Sequence, residues 1–153
     1  MYTMTSKDAA ATMGAGRRLA ALVRPGDVIT LSGQLGAGKT TFAAGFGEGL
    51  GIDEPVTSPS FVLVRTYRSG FTPLVHVDAY RLGSLGEFED LDVLDEASEG
   101  VLLIEWGEAV VGVLPEDHLR KLGFSRSMAG CEKTRSKYEI QLQLQCLLLQ
   151  YVL

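Results

Sequence analysis

Apolar side chains fall along the chain in short runs, set apart by polar and glycine-rich stretches. Thr5-Ser6-Lys7-Asp8 has the form of a capping box, with Thr5 as the N-cap. Met13, Leu19, Leu22 and Val23 then lie among alanines at helical spacing, and Arg24-Pro25-Gly26 stops the run, which predicts a first helix. Val28-Ile29-Thr30-Leu31 is apolar and β-branched and predicts a short buried strand. A glycine loop follows, and Lys39 to about Leu50 predicts a helix whose end is blurred by Gly45, Gly47 and Gly49. Phe61-Val62-Leu63-Val64 and Leu74-Val75-His76-Val77 predict two strands, with Arg68-Ser69-Gly70 turning between them.

Leu85 to Ala97 is acidic and predicts a helix, while Val101-Leu102-Leu103-Ile104 predicts a strand buried on both faces. Lys121 to Lys137 is polar and turn-rich and predicts no regular element. Tyr138 to Gln145 alternates strictly, the pattern of a half-buried strand. The last eight residues suit either its continuation or a packing helix. Strands alternating with helices predict an α/β fold, a mixed sheet flanked by helices in a single domain. Residues 1–120 would form its body, with 121–153 belonging to the same domain.

Composition narrows the class. A chain of 153 residues favours one domain, and 46% hydrophobic with 22% charged residues is an ordinary globular balance. Cys131 and Cys146 are too few for a disulfide framework and lack zinc-ligand spacing. The apolar run Cys146-Leu147-Leu148-Leu149 falls far short of the ~20 residues of a membrane helix. The polar start, Met1 to Asp8, lacks the order of a secretory signal. The expectation is a soluble cytoplasmic protein.

Charge is uneven. Residues 1–117 carry 8 Lys and Arg against 17 Asp and Glu, a balance of −9, whereas residues 118–153 carry 6 against 2, or +4. An acidic body argues against unaided tight binding to nucleic acid, which rests on phosphate neutralisation.

The chemistry concentrates in Gly33-Gln34-Leu35-Gly36-Ala37-Gly38-Lys39-Thr40, which fits G-x-x-x-x-G-K-[ST] at every fixed position. Glycines allow the tight turn that aims successive N–H groups at phosphate oxygens, and the helix that follows adds its positive end. Lys39 would supply a charge to the β- and γ-phosphates, and the Thr40 hydroxyl would ligate Mg²⁺. The motif sits between a predicted strand and a predicted helix, its required context. Gly33, Gly36, Ala37, Gly38, Lys39, Thr40 and Thr41 are therefore the candidate nucleotide contacts, in a fold like that of P-loop NTPases.

Such a loop also needs an acid at a strand end to hold the metal and its waters. Glu105 and Asp78 each follow an apolar strand, where the crevice of an α/β sheet opens. Together with Lys39 they are the candidate catalytic groups. Thr57-Ser58-Pro59-Ser60 is either an ordinary turn or a loop that senses the γ-phosphate. Trp106 is either packing or site lining. His76, inside an apolar strand, reads as a hydrogen-bonded core residue, and His118 as surface. The acids from Glu87 to Glu99 read as a solvated face.

Several segments together resemble the TsaE family, P-loop ATPases of tRNA threonylcarbamoyladenosine synthesis. They are Leu35 to Phe42 (LGAGKTTF), Thr57 to Val64 (TSPSFVLV), His76 to Leu82 (HVDAYRL), Leu102 to Glu108 (LLIEWGE) and Leu114-Pro115. The resemblance covers roughly residues 10–119 and implies Mg²⁺-dependent hydrolysis of ATP. It also implies work in complex with TsaB- and TsaD-type proteins, with tRNA contacted indirectly. On that resemblance Thr40 and Glu105 hold the metal, Asp78 is an essential aspartate, Ser60 a switch-loop hydroxyl, and Trp106 a site-adjacent tryptophan. Two features depart from the family: Gln34, where Asp is frequent, and the segment from Lys121 onward. The rival classes are a small P-loop kinase acting on a metabolite and a nucleotide-gated interaction module. A kinase would need a lid carrying arginines, whereas Arg65, Arg68 and Arg81 are scattered among strands.

Overall fold

The apolar runs pair into one sheet. In the computed structural model, which describes residues 2–127 and 137–143, its strand order is β1-β7-β6-β2-β5-β4-β3. These strands are β1 (Tyr2–Ser6), β2 (Val28–Gly33), β3 (Val64–Tyr67), β4 (Leu74–Asp78), β5 (Val101–Glu105), β6 (Leu119–Ser127) and β7 (Lys137–Gln143). The central four, β6, β2, β5 and β4, run parallel; β3 closes one edge antiparallel to β4, and β7 and β1 extend the other. The fold is thus the expected mixed α/β sheet with helices on both faces.

Alternation within the buried strands sorts side chains onto those faces. Ile29, Leu31, Val101, Leu103, Leu122 and Phe124 pack against α1 (Ala9–Ala20) and α2 (Lys39–Gly49). Val28, Val75, Val77, Leu102 and Ile104 pack on the opposite face, against Phe88, Val93, Ala97 and Leu114. The glycines of α2 do not end it early, because Gly45 lies against the backbone of α1. A Cβ there would stand 2.1 Å from the Met13 carbonyl oxygen. Close helix approach offsets the propensity cost of roughly 1 kcal/mol.

Several elements differ from the sequence pattern. Tyr2–Ser6 is a strand, antiparallel to β7, and the helix begins only at Ala9, where the Asp8 carboxylate accepts from Ala11 N at 2.8 Å. Asp8, not Thr5, is the cap, since pairing with a strand more than 130 residues away claims Thr5. The strand expected at Phe61 begins at Val64. Val62 N and Leu63 N both donate to Pro59 O, and Leu63 takes a left-handed φ of 66°. Phe61 and Val62 are left exposed.

The acidic helix is in fact two, α3 (Leu85–Glu89) and α4 (Val93–Glu96), broken at Asp92 with φ 51°. Phe88 and Val93 are both buried, and five residues of one straight helix would turn them roughly 140° apart. The acids there are solvent-facing as expected. The apparently featureless stretch after Lys121 contains most of β6, with Leu122 and Phe124 turned inward. β7 accounts for the alternating run as far as Gln143. Gln145, Cys131, Cys146 and the closing apolar residues lie outside the described residues. Among the described residues no helix is long and apolar enough to cross a membrane.

An ion pair fixes β6 to β2. Buried Asp27 accepts from Arg120 Nη2 at 3.1 Å and from Arg24 N at 2.9 Å. Removing one member of a buried pair strands the other charge, at a cost of about 3 kcal/mol. Urea unfolding of Arg120→Leu should show a loss of that order, whereas a loss of a few tenths would class the pair with surface contacts.

Candidate functional site

The loop from Gly33 to Gly38 leaves β2 at its carboxyl end, the side on which β4 and β5 also finish. Gly38 makes the turn into α2 with φ 102°, a left-handed conformation that a side chain would strain. No side chain caps α2, so its first-turn N–H groups remain available at the cavity. That cavity, about 290 Å³, is lined by Gly36, Gly38, Lys39, Thr40, Thr41, Ser58, Ser60, Asp78, Glu105 and Trp106, together with Leu35, Ala9 and Thr12. Nine of the positions singled out from the sequence meet there. Gly33 and Ala37 do not line it: Ala37 is buried beneath the loop, and Gly33 contributes its carbonyl.

Lys39 is buried, and its ammonium donates to Gly33 O at 2.6 Å and Gln34 O at 2.9 Å. The same Nζ lies 3.7 Å from the centroid of the Trp106 ring, and Tyr80 packs against that indole, 4.9 Å between centroids. Trp106 reaches this position because it leaves β5 with a left-handed φ of 60°, while its N–H still donates to Leu31 O. Such a conformation costs roughly 1–3 kcal/mol in a non-glycine residue and is held by its surroundings. Burial draws the Lys39 pKa below its usual value, while the negative charges of Glu105, Glu108 and Asp78 oppose that shift.

Strand periodicity places the acids. Leu74, His76 and Asp78 alternate with Val75 and Val77, so the first three face α2; Val101, Leu103 and Glu105 do the same on β5. Asp78 and Glu105 are direct partners across the parallel ladder, and both are almost fully buried. Thr40 Oγ1 donates to Glu105, 3.0 Å from Oε2 and 3.2 Å from Oε1, and His76 Nε2 lies 3.1 Å from Oε1. Asp78 Oδ2 accepts from Ser60 and from Ser58 (2.8 Å), and Oδ1 accepts from Tyr80 N at 3.0 Å.

The two serines therefore pin the loop that the sequence left open between turn and sensor. Its start is held by buried Tyr67, whose hydroxyl accepts from Thr57 N at 3.2 Å. Tyr80, Ala9 and Thr12 were missed, and Ser58 was named only as a member of its segment. Ser58 shares the Thr57-Ser58-Pro59-Ser60 segment with Ser60, but only the tertiary contact with Asp78 distinguishes it. His118 is surface, 4.0 Å from Asp27. Arg65 and Arg68 turn outward to Glu54 and Glu96, and Arg81 lies over Phe61.

The side-chain oxygens lining the cavity are hard donors, and among them the Thr40 hydroxyl and the Glu105 carboxylate are in direct contact. Among the described residues no three His, Cys, Asp or Glu side chains gather into a self-sufficient metal site. One carboxylate and one hydroxyl suit Mg²⁺, which keeps waters and shares phosphate oxygens instead of occupying an all-protein cage.

Residues 6–135 match the family described as Threonylcarbamoyl adenosine biosynthesis protein TsaE. The chain is 57% identical over 108 residues to the tRNA threonylcarbamoyladenosine biosynthesis protein TsaE of Streptomyces coelicolor, a match covering 69% of this chain and 73% of that one. It is 50% identical over 103 residues to the protein of the same name from Bacillus subtilis, covering 66% and 63%. The crystal structure of Bacillus subtilis YdiB superposes with a TM-score of 0.69 at 36% identity, covering 92% of this chain and 83% of that one.

Proposed function

The chain belongs to the TsaE family of threonylcarbamoyl adenosine biosynthesis proteins, and from that premise we propose that it is a Mg²⁺-dependent ATPase cycling the complex that modifies tRNA. One observation carries the reading. Lys39 and Thr40 from the loop and α2, Asp78 from β4 and Glu105 from β5 converge on a single cavity. The Thr40–Glu105 contact joins its two candidate metal ligands.

Lys39 binds the β- and γ-phosphates, aided by N–H groups of the loop and the start of α2. Thr40 and Glu105 hold Mg²⁺, which when bound neutralises charge developing on the phosphate oxygens. Asp78 orients the attacking water and accepts its proton, while Ser58 and Ser60 link that carboxylate to the loop at the cavity mouth. Trp106 covers Lys39 and limits water at the ammonium.

Partners are TsaB- and TsaD-type proteins in the cytoplasm, with tRNA contacted through them. Leu35, which lines the cavity, Phe61, which follows the lining Ser60, and Tyr80, which packs on the lining Trp106, are all exposed, and exposed large apolar side chains favour a protein partner over solvent. Reconstitution of the modification from purified proteins, read by nucleoside analysis, is the test. Threonylcarbamoyladenosine should accumulate through repeated turnovers only when this chain and ATP are both present. Equal yield without the chain would overturn the function.

A further inference from the structure

One buried polar residue has no part in the reading above. His76 is fully buried in β4, a strand otherwise apolar as far as Val77. Its Nε2 lies 3.1 Å from Glu105 Oε1, and its Nδ1 is buried with no hydrogen-bond partner. These facts assign the proton. On Nδ1 it would be a buried donor with no acceptor, and the bare Nε2 would face a carboxylate. On Nε2 it is donated to Glu105 and leaves only a lone pair unmatched.

From this geometry we infer that His76 is a positioning residue: its Nε2–H holds Glu105 in the orientation that presents the carboxylate to Mg²⁺. The inference rests on the Mg²⁺–ATP reading of the site. A leucine in the same place would fill the core without leaving an orphaned nitrogen, so packing alone does not require the imidazole. What leucine lacks is a donor to Glu105 Oε1. The terminal torsion of a glutamate is broad, and Thr40 Oγ1, within reach of both oxygens, does not by itself fix the plane of the carboxylate. His76 does, from the strand beside β5. Outer-shell donors of this type commonly change metal affinity 10–100-fold when lost.

The test is calorimetric titration of a non-hydrolysable ATP analogue, with and without Mg²⁺ and at graded Mg²⁺ concentrations, on the full chain. His76→Leu should raise the Mg²⁺ concentration needed for binding by about 10–100-fold while leaving metal-free binding within about twofold. His76→Gln places its amide nitrogen as many bonds from Cβ as Nε2 and should restore most of the wild-type requirement. His76→Asn falls one bond short and should behave like leucine. A merely structural histidine would shift the melting temperature without moving the Mg²⁺ requirement or ranking Gln above Asn. If His76→Leu fails to fold, the Gln–Asn contrast decides. Wild-type Mg²⁺ dependence with no change in the variants overturns the inference alone. A wild type that binds the analogue without regard to Mg²⁺ overturns the ATPase reading, and the inference with it.

Discussion

Lys39→Ala should abolish measurable ATP binding. Among the described residues Lys39 is the one cation lining the cavity, where it stands with the carboxylates of Asp78 and Glu105. Without it the phosphates would meet those two acids with only N–H groups to balance them. A charge-assisted hydrogen bond contributes about 1.5–3 kcal/mol, and Lys39 would make one to each of two phosphates. The combined loss corresponds to a fall in affinity of roughly 10²-fold or more. Lys39→Met keeps the stem beneath Trp106 and should fail equally, which separates charge from packing. Calorimetry on both variants, with thermal melting to verify folding, measures the effect. Wild-type affinity in either would remove the loop from the phosphate site.

That result depends on a part of the molecule the sequence displays openly. The motif lies in consecutive residues, and its two flanking elements each announce themselves through a simple period. The acids were legible for a related reason: Asp78 and Glu105 end continuous apolar runs, and parallel strands in one sheet bring such ends together. What was not legible depends on distant pairing. β1 is polar and acquires its shape from β7, beyond the far end of the fold. β6 shows only Leu122 and Phe124 as an inward period, so its pattern is too short to stand above background. Phe61-Val62-Leu63 has the composition of a strand and becomes a turn, because Ser58 and Ser60 are drawn to Asp78. His76 was legible as a hydrogen-bonded core residue. Its partner was not, since Glu105 is 29 residues away.

Asp78 and Glu105 should fail in different ways when each loses its charge. In Asp78→Asn the amide oxygen can still accept from Tyr80 N, while its nitrogen donates to Ser58 or Ser60, whose hydroxyls accept as readily as they donate. The loop therefore keeps its anchor, and ATP should bind nearly as in the wild type. What disappears is an acceptor for the proton of the attacking water, and losses of roughly 10²-fold in turnover are ordinary for a positioned base. An interaction made only in the transition state lowers kcat and spares binding. Glu105→Gln is the opposite case. Its oxygen can satisfy His76 at the Oε1 position, but the nitrogen then stands at the Oε2 position, beside the other candidate ligand Thr40. A donor in that place repels a cation, so the Mg²⁺ dependence of nucleotide binding should weaken together with turnover. Binding and single-turnover hydrolysis of both variants, followed at several Mg²⁺ concentrations in the reconstituted complex, separate the roles. If Asp78→Asn hydrolyses ATP at the wild-type rate there, the aspartate serves only to anchor the serine loop at the end of β4.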